Sequence, residues 1–315
     1  MAASLSDALT RAQQHAARAL FPIRADKWIH LGFIAFLADL ASAPAAPNLS
    51  YLTSSPPGSS GMDLRESLRM LAQLWSEHAT RVTIVGGLIV ASSLALGVLA
   101  LWLGSRGQLM FTESVIHDRY AVVEPWRRLR EPAWRLFRVR LVVVVSIVAL
   151  TLVAAGVGVA IAWPDLVALR FGGSALAGLL VAAGLTLLVL PLRLSLALID
   201  DFLVPIVYLD GVGVRQAWRV FRTELLPGRV GAIALFYVVK VVLGFAIGLV
   251  AFIAACLTCC LAALPYVSHV VLLPIHVFLR AFSLYFLEQL GKPVFPREPP
   301  PEAWRGAYEF PSAPG

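Results

Sequence analysis

Three cations stand inside stretches that are otherwise almost wholly apolar: Arg193 in "LLVLPLRLSLALIDDF", Lys240 in "FYVVKVVLGFAIG" and Arg280 in "PIHVFLRAFSLYF". An unpaired ion held away from water costs several kcal/mol even after relaxation, so each asks for a counter-charge. Asp200 and Asp201, which follow Arg193 on the same stretch, are the carboxylates placed to supply it. Two chemistries fit this set. One is an internal ion-pair network. The other is a basic pocket in which Arg193, Lys240 and Arg280, with Asp200, Asp201 and His276 around them, take the phosphate of an anionic lipid headgroup. His269, His276, Arg280 and Ser283 recur at helical spacing on one stripe. Asp39 is isolated in "FIAFLADLAS", with His269 as its candidate partner.

Other chemistry is thinly represented. Cys256, Cys259 and Cys260 form half of a zinc-site pattern, with His269 as the ligand type nearby. A metal needs ligands that converge in space and a second shell, and a CxxC in an apolar helix supplies neither, so the cysteines read as small packing residues. The chain contains no GxxxxGK[ST], HExxH, GxSxG or strand-bounded GxGxxG motif. The expectation is therefore no enzyme, no catalytic residue, no metal and no cofactor.

The elements that must carry these residues are membrane helices. Of the 315 residues 59% are hydrophobic and 14% charged, and the mean hydropathy is +0.78, outside the range of a soluble domain. A crossing helix needs roughly 20 mostly apolar residues. Six stretches are predicted to cross: 28–43, 83–103, 141–163, 174–199, 230–257 and 266–290. Small residues at four-residue spacing, such as Gly87 with Ala91, Gly158 with Ala162, Gly178 with Ala182 and Gly244 with Gly248, predict a compact bundle. The fold class is all-α, a polytopic bundle of about six spans.

Lysine and arginine set the orientation, because they are retained on the cytoplasmic side. Twenty of the 26 flank one set of span ends and four the other, with Lys240 and Arg280 inside spans. Both termini are thus expected in the cytoplasm, and no cleavable leader is apparent in the polar first 27 residues.

Between spans lie amphipathic stretches predicted to rest in the headgroup layer. In one, Trp126, Leu129, Ala133 and Leu136 form the apolar stripe, opposite Arg127, Arg130 and Arg138. In the other, Val214, Trp218, Phe221 and Leu225 oppose Arg215, Arg219 and Arg222. Trp126, Arg127, Arg130, Trp218, Arg219 and Arg222 are the expected interfacial lipid contacts. At an offset of 92 residues Asp118 falls on Asp210, Trp126 on Trp218 and Arg127 on Arg219, which predicts a parallel internal repeat of about 84–163 on 176–255. A weaker relative is the N-terminal segment 1–27, where Leu5, Leu9, Ala12, Ala16 and Leu20 share a face. Residues 44–61 read as a Pro/Ser/Gly linker on the outer side, followed by a surface helix with Leu64, Leu68, Leu71 and Trp75 on one face. The proline-rich tail 291–315 reads as largely disordered.

Three stretches carry a resemblance: "LFPIRADKWIHLGFIAFLADL" at 20–40, "SRGQLMFTESVIHDRYAVVEPW" at 105–126 and "CLTCCLAALPYVSHVVLLPIHVFLRAFSLYFLEQLG" at 256–291. Together they resemble an uncharacterised prokaryotic family of polytopic membrane proteins, distantly similar to the membrane domain attached to some glycerophosphodiester phosphodiesterases. The resemblance implies a multi-pass protein of the bacterial inner membrane and no catalytic residue, since in those relatives a separate soluble barrel does the chemistry. The function expected is non-catalytic membrane organisation, or binding of lipids and protein partners, with anionic headgroups as the ligand. A transporter or channel using the basic pocket is the alternative.

Overall fold

The computed structural model describes residues 5–21, 24–41, 64–118, 120–167, 172–257 and 265–295, with backbone alone over 64–79 and at 82, 166, 254, 255, 257 and 265. The linker 44–61, Cys259, Cys260 and the tail beyond Phe295 lie outside the described residues, as do the side chains of Leu64, Leu68, Leu71 and Trp75. Among the described residues the protein is all-α, without strands. In chain order the helices are α1 (Leu5–Leu20), α2 (Ala25–Asp39), α3 (Leu64–His117), α4 (Val123–Arg128), α5 (Arg130–Val167), α6 (Gly173–Leu187), α7 (Leu190–Leu198), α8 (Val204–Asp210), α9 (Val214–Val220), α10 (Val230–Leu257), α11 (Pro265–Val271) and α12 (Leu273–Gln289). Two π-turns, Ile199–Leu203 and Phe221–Leu225, follow α7 and α9.

Four helical stretches are long and apolar enough to cross a membrane: Thr83–His117, Arg130–Asp165, Gly173–Asp210 and Val230–Ile253. Their outer parts are bare. Leu88, Leu94, Leu152 and Phe245 are exposed, Phe245 at 79%, and water would not tolerate so much contiguous apolar surface. Lipid tails solvate it without cost. A Cβ added to Gly87, Gly244 or Gly248 would meet no atom within 4 Å, so these small residues do not draw helices together as their spacing predicts. Gly158 and Gly178 do. A Cβ on Gly178 would stand 2.3 Å from the carbonyl oxygen of Gly158, so α5 and α6 touch backbone to backbone as a hairpin. Asp165 near the end of α5 accepts the Ala175 N–H at 2.9 Å, satisfying a free donor in the first turn of α6.

The inner parts of these helices converge on one core with α1, α2 and α12. Leu109, Met110, Leu136, Phe202, Phe236, Phe282 and Phe286 are almost fully buried there. Phe236 stacks on Phe286 at 4.7 Å and on Phe282 at 4.9 Å. The segments predicted as the first and last spans belong to this core. α2 has 15 residues, or about 22 Å at 1.5 Å per residue, against about 30 Å of hydrocarbon. Residues 266–290 divide at Leu272, where Pro274 starts a new helix. The predicted outer surface helix is not separate either: Leu64 to His117 is one helix of 54 residues.

Small residues bring α2 against α3. A Cβ on Gly107 would lie 2.4 Å from the Ala38 nitrogen, and one on Gly104 would lie 2.1 Å from the Ala41 nitrogen, so only glycine permits this approach. Gln108 donates to the Ala38 carbonyl at 3.2 Å across the same seam. α1 lies along α12 through buried Ala8, Ala12, Ala16 and Leu20. The tail is ordered at its start: Gly291, at φ +98°, closes α12 with Gly291 N–H to Glu288 and Lys292 N–H to Leu287, Val294 is buried, and Phe295 stacks on Tyr285 at 4.2 Å.

The amphipathic stretches turn inward rather than toward lipid. Leu129, Ala133 and Leu136 are buried in the protein core, as are Val214, Ala217, Phe221 and Leu225. Ala217 thus takes the buried place predicted for Trp218, which is 40% exposed and stacks on Phe221. Arg127, Arg130, Arg219 and Arg222 are exposed. The 3.6 period is right, but the apolar side meets helices instead of acyl chains.

Candidate polar cavity between the short helices

The buried charges gather where the π-turn after α7 faces α5, α10 and α12. The extra residue of a π-turn rotates the helix and lets two successive carboxylates face inward to different partners. Asp200 accepts Arg140, whose side chain is almost fully buried on α5. Asp201 accepts Lys240 Nζ from α10 at 2.5 Å and the Ser283 hydroxyl from α12 at 2.9 Å. Arg280 donates to the Asp200 carbonyl at 2.5 Å and to the Thr112 hydroxyl on α3, which donates in turn to the Gln108 carbonyl at 2.7 Å. Five helical segments are tied by one polar cluster.

A cavity of about 180 Å³ adjoins it, lined by Asp39, Gln108, Asp200, Asp201, Lys240, His276, Arg280 and Ser283 among others. On its far side the Asp39 carboxylate lies 3.3 Å from His269 Nε2, and His276 stacks face to face on His269 at 4.9 Å. Buried Arg280 Nε has no hydrogen-bond partner.

The structure brings together Lys240, Arg280, Asp200, Asp201 and His276 from the sequence-derived set. It does not bring Arg193, which is exposed on α7. The cation that sequence reasoning missed is Arg140. It ends the basic run "EPWRRLREPAWRLFRVR" and so passed as one more flanking arginine, although two adjacent carboxylates in one apolar stretch require a second buried cation near Lys240. With Arg140 included, Asp39, Asp200 and Asp201 balance Arg140, Lys240 and Arg280 in number. The cluster is thus charge-compensated rather than basic. Among the described residues no three His, Cys, Asp or Glu side chains gather as metal ligands, and Cys256 is exposed.

A second cluster closes the ends of α3, α8 and α12. Lys27 pairs with Asp118 at 2.7 Å, Lys292 with Asp210 at 2.6 Å, Arg128 with buried Glu113, and Arg229 donates to the Leu290 carbonyl that ends α12. His15 on α1 reaches the Val115 carbonyl at 3.0 Å and the Tyr285 hydroxyl at 3.3 Å. Burial pushes its pKa below the ordinary 6.5, outweighing the Val115 hydrogen bond.

An all-α chain with four membrane-length apolar helices and a compensated polar cluster at their inner ends defines a helical membrane protein, whose chemistry its fold does not by itself name. The chain belongs to a family of unknown function, DUF7544, which it matches over residues 3–275. No curated protein and no solved structure matches it.

Proposed function

We propose that this protein is a non-catalytic, multi-pass component of the bacterial inner membrane that holds a lipid headgroup in the cavity beside Arg280. The observation that carries this reading is a cavity lined by two cations from different helices, Lys240 and Arg280, the latter with a guanidinium whose hydrogen bonds the protein does not all fill. Phosphate oxygens suit the two cations that line this wall, Lys240 and Arg280, and anionic lipids are the preferred source. A cavity of about 180 Å³ has room for a headgroup phosphate, with the acyl chains outside.

The reading includes six crossings, with α2 and the α11–α12 pair as short, polar-lined ones and both termini cytoplasmic. Support comes from α2 running antiparallel to α3, Lys27 against Asp118 at one end and Ala41 against Gly104 at the other. It also includes the internal repeat. In both halves a helix ends on a left-handed residue, Asp118 at φ +51° and Gly211 at φ +65°, and a short helix then leads into a long apolar one. The likeness to the membrane domain of glycerophosphodiester phosphodiesterases belongs to the same proposal and rests on the three stretches that carry it.

Arg280→Gln tests the site. Native mass spectrometry of the full chain should show less co-purified anionic lipid with helicity unchanged. If the variant keeps its lipid but loses thermal stability, the cluster is an internal ion-pair network and the headgroup site falls. A second reading, a transporter or channel, is favoured by the Asp39–His269–His276 series, which extends polar groups away from the cavity. Solute or proton flux in proteoliposomes that Asp39→Asn abolishes would favour it.

A further inference from the structure

Arg106 lies on α3 where the apolar run 83–103 ends, one turn after Trp102. Its guanidinium carbon stands 4.6 Å from the Trp102 ring centre and 4.6 Å from that of Trp126 on α4. The two indoles meet edge to face, 6.1 Å apart at 88°. The arginine is thus held between two aromatic faces from different elements.

Other arginines of the inner core have acceptors: Arg128 has Glu113, Arg140 has Asp200, and Arg280 has the Asp200 carbonyl and Thr112. Among the described residues Arg106 has neither a hydrogen bond nor an ion pair, and its neighbouring charge is another cation, exposed Arg130. Indole faces attract a guanidinium but accept none of its in-plane N–H groups. Stacking therefore fixes the plane and leaves the donor edge unfilled, the arrangement that recognises a phosphate in two-pronged fashion.

We infer that Arg106, clamped by Trp102 and Trp126 and assisted by Arg130, binds the phosphate of an anionic phospholipid of the inner leaflet. The surroundings select a lipid over a soluble phosphate. Leu99, half exposed, stands one turn before Trp102 and two before Arg106 on the same helix face, so a phosphate at Arg106 lays its acyl chain along Leu99. The tryptophans sit where the amphipathic indole is at home, between hydrocarbon and headgroups. The site is separate from the cavity at Arg280. There Arg140 and Lys240 have carboxylates and Arg280 has the Asp200 carbonyl and Thr112; here, among the described residues, neither cation has an acceptor, which makes Arg106 a second site for negative lipid.

The test uses the full chain in nanodiscs of phosphatidylcholine containing a minor fraction of phosphatidylglycerol brominated in its chains, read by quenching of tryptophan fluorescence. Wild type should show phosphatidylglycerol enriched about fivefold over its bulk fraction, the factor one basic residue supplies near a charged surface. Arg106→Gln should bring quenching down to the bulk value, and Arg106→Lys, which keeps the charge and loses the planar donor edge, should fall between. Inorganic phosphate is the second arm: saturable displacement of the brominated lipid by phosphate shows that the site takes the free ion and overturns the lipid assignment. Absence of enrichment in wild type overturns the site altogether, as does full enrichment in Arg106→Gln. If Arg106→Gln does not fold, the wild-type, phosphate and Arg106→Lys measurements still decide.

Discussion

Lys240 reaches Asp201 at 2.5 Å from a helix that begins 29 residues after it, and the same carboxylate oxygen accepts the Ser283 hydroxyl at 2.9 Å. This one oxygen joins α10 and α12 to the π-turn. Asp201→Asn should cost about 2 kcal/mol, below the 3–5 expected for breaking a buried pair because Lys240 retains 31% exposure. Thermal unfolding in detergent is the measurement. Adding Lys240→Met to Asp201→Asn should restore part of the loss; a double variant weaker than the single one would show that the pair is not the interaction that matters.

Arg140 and Arg138 are two residues apart in one basic run, yet one is buried and the other exposed. Arg140→Met should destabilise by about 3 kcal/mol because it strands Asp200, while Arg138→Met should change stability by no more than about 0.5 kcal/mol. Equal effects in chemical unfolding would mean that Asp200 finds water when Arg140 is gone.

His15 gives a pH dependence with a defined sign. Its folded pKa is lowered by burial, with Tyr285, Asp118, Arg18 and Lys27 as the facing polar and charged groups, so as pH falls the unfolded chain takes the proton first. Stability is therefore unaffected above the ordinary value of 6.5 and declines below it. His15→Gln should flatten the melting temperature between neutral and mildly acidic pH relative to wild type. An unchanged slope would place the sensitivity elsewhere.

Glycines on α6 and α10 separate close packing from lipid exposure. Gly178→Ala places a methyl against the Gly158 carbonyl and should destabilise the α5–α6 hairpin by about 1–3 kcal/mol. Gly244→Ala meets nothing within 4 Å and should be neutral or slightly stabilising, since alanine is the better helix former. Unfolding of both variants in mixed micelles gives the comparison.

Topology is open to direct labelling. With six crossings, cysteines introduced at Ser59 and Ser312 should react from opposite sides of the membrane in intact cells and after permeabilisation. Reaction of both from outside would remove the cytoplasmic C-terminus from the proposal.

What was legible in the sequence is what short-range physics fixes. Apolar run length declares the four long helices because hydrocarbon demands about 20 residues whatever else the chain does. Helical period alone put Leu129, Ala133 and Leu136 on one face, and Phe221 and Leu225 on another. An isolated carboxylate and an isolated imidazole, Asp39 and His269, found each other as their cost in an apolar setting requires.

Tertiary structure decided what each face meets. A period of 3.6 says that a stripe is apolar and cannot say whether lipid or protein covers it, so the amphipathic stretches turned into the core and the stripe at Gly244 and Gly248 into open space. Arg193 and Arg140 are alike in sequence, both basic residues at the margin of an apolar run. Only the packing of α5 against the π-turn at Ile199–Leu203 separates them: it buries Arg140 on the Asp200 carboxylate and leaves Arg193 at the surface, because a buried charge must find its counter-charge or acceptors on another helix.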